Sequence, residues 1–118
     1  MISTKKFYEN HPTKRCKYCL RDLKLEESTK DHVLPVYRGG TDFIDNLVLC
    51  CTTCNDLKGC LTLKGFYIKV DRILKTTKNK HYFKTIRNST LSMIYSKKYK
   101  LPSKKKRIRK RNKRKKKI

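Results

Sequence analysis

Between Cys16 and Gly59 the chain gathers residue types suited to metal and phosphate chemistry. Cys16-Lys17-Tyr18-Cys19 and Cys51-Thr52-Thr53-Cys54 are two Cys-x-x-Cys pairs separated by a loop. That spacing is the signature of a tetrahedral zinc site, in which four thiolates close the coordination sphere. Zinc at Cys16, Cys19, Cys51 and Cys54 would tie together the ends of a segment that holds Asp31-His32 and Asn46, with Asn55 directly after the second pair. Two such pairs alone fit a purely structural zinc knuckle. The ordered Asp-His, Asn and Asn set in the same segment moves the reading toward an enzyme.

Cleaving a phosphodiester requires an activated water, a positive partner for the leaving 3′ oxygen and stabilisation of the pentacovalent charge. Histidine titrates near neutral pH, so His32 can take the proton from water. A hard cation such as Mg²⁺ takes oxygen ligands, one or two of them from protein and the rest from water and phosphate. Asp31 offers a carboxylate and Asn55 an amide oxygen. Asn46 can hold an adjacent backbone segment or the imidazole in place, fixing its direction.

With these residues in view, the segment resembles the HNH endonucleases of the ββα-metal fold, in their zinc-stapled branch. The matching residues are Asp31-His32, Asn46 fourteen residues after His32, and Asn55 nine residues further on. The run Asn46-Leu47-Val48-Leu49-Cys50-Cys51-Thr52-Thr53-Cys54-Asn55-Asp56-Leu57-Lys58-Gly59 carries the family's second cysteine pair and last motif residue. The resemblance covers roughly Cys16 to Thr62. It implies His32 as general base, Asn46 as the residue that orients it, and Asp31 and Asn55 as ligands of a catalytic divalent ion, Mg²⁺ or another. It also implies a structural Zn²⁺ on the four cysteines. Asn stands where many members have a final His, which keeps oxygen ligation and removes an imidazole that would favour softer metals.

The elements that must position these groups are short. Leu23 and Leu25 suit a short strand. Val33-Leu34-Pro35-Val36-Tyr37, β-branched and aromatic, predicts a strand at an edge or bulge because of Pro35. It would pair as a hairpin with Leu47-Val48-Leu49 across the Arg38-Gly39-Gly40-Thr41-Asp42 turn. A helix beginning at Asn55 would end near Gly59. Thr62 is a candidate N-cap for a second helix, whose apolar face is Leu63, Phe66, Tyr67, Val70 and Leu74. Tyr82, Phe83 and Ile86 form an apolar cluster. Leu91, Ile94, Tyr95 and Tyr99 predict a last short helix, capped by Asn88 or Ser89 and stopped by Pro102.

Composition sets the frame. The chain has 118 residues, no Trp and 36% hydrophobic residues, so its core would be marginal without a structural metal. The formal charge of +24 is unevenly spread. Residues 1–71 hold 12 Lys and Arg against all 9 acidic residues, and residues 72–118 hold the other 21 with no acid. A block of this kind seeks polyanions, and nucleic acid is the usual one, because each neutralised phosphate releases counterions. A membrane surface fits less well, since the tail lacks an apolar face. The first residues show no apolar run of signal-peptide length, so the six cysteines read as reduced thiols of a cytoplasmic or nuclear protein rather than as three disulfides.

Other residues carry two readings each. Arg38 and Lys58 could touch phosphate or sit as solvated surface charges. Cys50 rivals Cys51 as a ligand, but Cys51 keeps the two-residue spacer and Cys50 reads as a buried free thiol. Cys60 reads as a small core residue, and His11 and His81 as isolated. Lys104, Lys105, Lys106, Arg107, Arg109, Lys110 and Arg111 belong to a tail with 12 basic residues in 15. That tail reads as a disordered DNA anchor, a nuclear address, or both.

The sequence therefore predicts an α+β protein: a polar lead-in (1–15), a zinc-stapled ββα-metal core (16–76), a helical extension (77–102) and a disordered basic tail (103–118). The function expected is metal-dependent hydrolysis of DNA. The alternative is a noncatalytic zinc-stapled protein that binds nucleic acid.

Overall fold

The computed structural model describes residues 1–99. The expectations for Pro102 and for the basic tail, including Lys104 to Arg111, lie outside the described residues. The described part is α+β: α1 (Thr4–Asn10), β1 (Ser28–His32), β2 (Leu47–Cys51), α2 (Thr52–Lys58), α3 (Leu63–Leu74) and α4 (Lys80–Ser96).

β1 and β2 form a two-stranded antiparallel sheet in which Asp31 faces Val48 and His32 faces Leu47. Every residue of β2 is buried. α2 follows β2 without a break and completes a β-β-α unit. Gly59 ends α2 in a positive-φ conformation (φ 54°), which glycine adopts without a Cβ penalty.

The hairpin was expected five residues further along, at Val33–Tyr37. The structure instead makes Ser28–His32 the strand and leaves Val33–Tyr37 in the connection. Tertiary pairing overrode β-propensity here: the polar segment is held by the buried apolar β2. Pro35 cannot donate to a ladder, and residues 36–38 turn back in a 3-10 helix closed by Gly39 at φ 98°. Val33 and Leu34 are nevertheless buried, as loop residues. Leu23 is buried beside an isolated bridge between Arg15 and Asp22, while Leu25 enters a 3-10 turn rather than a strand.

The lead-in is part of the fold. Ser3 caps α1 by accepting from the Lys6 N–H, Phe7 is buried, and the Tyr8 hydroxyl donates to the Leu23 carbonyl at 2.8 Å. Lys14 Nζ donates to the carbonyls of Tyr8, Glu9 and His11 at the far end.

α3 follows the expectation. The Thr62 hydroxyl accepts from the Gly65 N–H at 3.2 Å, and Leu63, Phe66 and Val70 are buried. α4 does not: the cluster at 82–86 and the predicted short helix are one 17-residue helix, with Asn79 at its N-cap. Ile86, Thr90 and Met93 share its buried face. Asn88 and Ser89 lie mid-helix away from that face, where they cost only weak propensity.

Candidate active site and metal centre

The first cysteine pair sits on a tight turn. The Cys16 N–H donates to the Arg21 carbonyl at 2.9 Å and the Leu20 N–H to the Cys16 carbonyl at 3.0 Å. Leu20 takes a positive φ of 67° to close the turn. The Lys17 N–H donates to the Leu49 carbonyl at 2.8 Å, fastening the turn to β2. The second pair straddles the start of α2, with Cys51 at the N-cap.

The sulfur atoms of Cys16, Cys19, Cys51 and Cys54 lie within 4.8 Å of one another. Tetrahedral zinc–thiolate bonds of about 2.3 Å would place sulfurs about 3.8 Å apart; Cys19 and Cys51 Sγ are 3.9 Å apart. Backbone N–H groups already point at two sulfurs, Cys19 N at Cys16 Sγ (3.4 Å) and Cys54 N at Cys51 Sγ (3.3 Å). Hydrogen bonding from Cys54 lowers the Cys16 pKa to about 4, while burial pushes Cys19 up to about 11. The same bond to Cys16 pushes Cys54 up. Packed thiols of this kind cannot all ionise side by side without a cation to neutralise them. The donor set therefore fits structural Zn²⁺. Cys50 is buried outside the cluster, and burial raises its thiol pKa. Cys60, expected in the core, is exposed beyond the end of α2.

Asp31 and His32 end β1 side by side and differ in burial and partners. Asp31 is 3% exposed. Its Oδ2 accepts from the Tyr18 hydroxyl at 2.6 Å and lies 3.2 Å from Lys58 Nζ. Burial raises the Asp31 pKa, and Lys58 and Tyr18 oppose that shift by favouring the carboxylate. His32 is half-buried, and its Nε2 lies 2.7 Å from Asp42 Oδ1.

Asp31, His32 and Asn55 line one open cleft of about 510 Å³, together with Tyr37 and Cys60. Asn55 reaches it from α2. Asn46 is buried and does not line this cleft. Its Oδ1 accepts from the Leu34 N–H at 3.0 Å, and its Nδ2 donates to the carbonyls of Leu34 and Thr41, each at 2.9 Å. Of the two tasks open to Asn46, backbone support is the one the geometry displays.

Lys58 requires a correction. Its side chain is 0% exposed and paired with Asp31, and its ammonium also donates to the His32 carbonyl at 3.0 Å. It is a buried structural cation, neither phosphate-facing nor solvated. Arg38 is exposed. Its guanidinium lies over the Tyr37 ring at 5.3 Å, and its Nε donates to the Tyr37 hydroxyl at 3.1 Å. Sequence reasoning missed Tyr18, Asp42 and the inward role of Lys58. An aromatic residue inside the Cys-x-x-Cys turn was the available hint for Tyr18. Asp42 had only its place after Gly39-Gly40.

Residues 16–66 match the family model described as HNH endonuclease. A search of curated proteins found no match. The matched stretch begins at Cys16, the first cysteine of the cluster, and ends within α3, so it contains the β-β-α unit, the cysteine cluster and the cleft. It supports a nuclease or nucleic-acid-related function. Among the described residues, no helix is long and apolar enough to cross a membrane.

Proposed function

We propose that this protein is an endonuclease that hydrolyses DNA phosphodiester bonds with the help of a divalent cation. The observation that carries the reading is the convergence of Asp31, His32 and Asn55 on one cleft, apart from the four-cysteine cluster. His32 takes the proton from the attacking water. In-line attack leaves a 5′ phosphate and a 3′ hydroxyl.

Asp31 and Asn55 are the residues that would hold the cation. They are hard oxygen donors, and the open cleft leaves room for water and phosphate, which suits Mg²⁺. When bound, the ion would stabilise charge on the phosphoryl group and the leaving oxygen. Asn46 holds the loop beside His32 rather than touching the ring. Arg38 and the basic tail supply positive charge for the DNA backbone.

The noncatalytic reading has one observation in its favour. Lys58 already neutralises Asp31 from inside, so the carboxylate is not waiting for a cation. Plasmid digestion separates the two. The nuclease reading expects chelator-sensitive nicking in Mg²⁺. It also expects His32→Ala to lose on the order of 10² to 10⁴ in rate, as loss of a general base does, with zinc content and DNA affinity retained. A gel shift without cleavage of any DNA form establishes the binder instead.

A further inference from the structure

We propose that Asp42 is the positioning residue for His32, fixing the imidazole as the Nε2–H tautomer so that Nδ1 is the atom that receives the proton. The role of Asp42 rests on His32 being the general base; the tautomer itself does not.

The contact is short and defined. His32 Nε2 lies 2.7 Å from Asp42 Oδ1. A carboxylate only accepts, so Nε2 carries the hydrogen and donates it. In the neutral imidazole the other ring nitrogen then keeps its lone pair. Which imidazole nitrogen holds the proton is set by the bond the other one makes.

Asp42 is ten residues from His32 and reaches it only because the loop between them folds back on itself. Two features enforce the fold-back. A Cβ on Gly40 would sit 1.8 Å from the Leu34 carbonyl oxygen, so only glycine permits that approach. Asn46 then bonds to the backbone of Leu34 on one arm and of Thr41 on the other, immediately before Asp42. Asn46 thus acts on the imidazole at one remove, through the loop and Asp42. Asp42 itself is 60% exposed and buries nothing of consequence, so its placement against His32 is not a by-product of core packing.

The test uses the full zinc-containing chain and two variants, Asp42→Ala and the isosteric Asp42→Asn. Imidazole ¹⁵N spectra, taken without Mg²⁺, report the tautomer directly. The wild type should show His32 protonated at Nε2 alone, and Asp42→Ala a mixture of tautomers. In plasmid cleavage, Asp42→Ala should lower kcat about 10- to 100-fold, the usual cost of losing such an orienting partner. KM and zinc content should hold, and Asp42→Asn, whose amide oxygen can still accept, should lose less. A wild-type His32 spectrum in Asp42→Ala overturns the proposal, and so does wild-type kcat with unchanged KM in Asp42→Ala. If the wild type cuts no DNA, the nuclease reading fails by itself, and the spectra still decide whether Asp42 sets the tautomer.

Discussion

Tyr18 and Asp31 are joined by a 2.6 Å hydrogen bond between the first Cys-x-x-Cys turn and the strand that carries His32. Tyr18 lies between Cys16 and Cys19, and its ring also meets Phe66 of α3 edge-on, with centroids 5.3 Å apart. The four-cysteine cluster and the candidate catalytic strand therefore share one buried polar contact.

Removing that hydroxyl should be felt as stability. Tyr18→Phe keeps the ring packing and leaves Asp31 one donor short. The expected loss is about 1–3 kcal/mol, the cost of an unsatisfied buried acceptor. Urea unfolding of the zinc-bound protein would measure it, and metal analysis should still find one zinc. Unchanged stability would mean that the Tyr18 hydroxyl and Asp31 do not bond in solution.

Lys58→Met should destabilise more, by about 3–5 kcal/mol, because it strands a buried carboxylate. Adding Asp31→Asn should recover part of that loss, since neither charge then remains. The salt dependence of DNA binding should be the same in the double variant as in the wild type, because a buried ammonium releases no counterion. A shallower slope would place Lys58 on the phosphates after all.

One zinc per chain, and loss of the fold on its removal, is expected from a closed four-sulfur site. Circular dichroism during chelation would follow it, with zinc added back to restore the signal. A chain that keeps its spectrum without metal, or that forms a disulfide between Cys16 or Cys19 and Cys51 or Cys54, contradicts the assignment.

Thiol alkylation should distinguish the two cysteines outside the cluster. Cys60 is exposed, whereas Cys50 is buried with its pKa raised. Iodoacetamide at neutral pH should label Cys60 in the folded protein and reach Cys50 only after unfolding. Mass mapping that finds Cys50 modified first would overturn the core placement.

The sequence by itself determined the parts that local spacing encodes. Two Cys-x-x-Cys pairs announce a four-cysteine cluster able to hold a metal, because each pair presents both sulfurs from one turn. The helix at Leu63–Leu74 and its Thr62 cap were legible because amphipathic period and capping are local properties. Asp31-His32, Asn46 and Asn55 stood out as candidates through resemblance and their order along the chain, and three of them, Asp31, His32 and Asn55, line one cleft.

Tertiary structure decided what depends on partners distant in sequence. It made polar Ser28–His32 a strand because β2 was there to pair with it, and it merged two predicted pieces into α4 around one buried face. It turned Lys58 inward because Asp31, 27 residues earlier, supplies a buried counter-charge. It brought Asp42 to His32 because Gly40 and Asn46 close the loop between them. Hydrogen bonds and ion pairs of this kind form only when the chain folds back, so residue spacing alone does not display them.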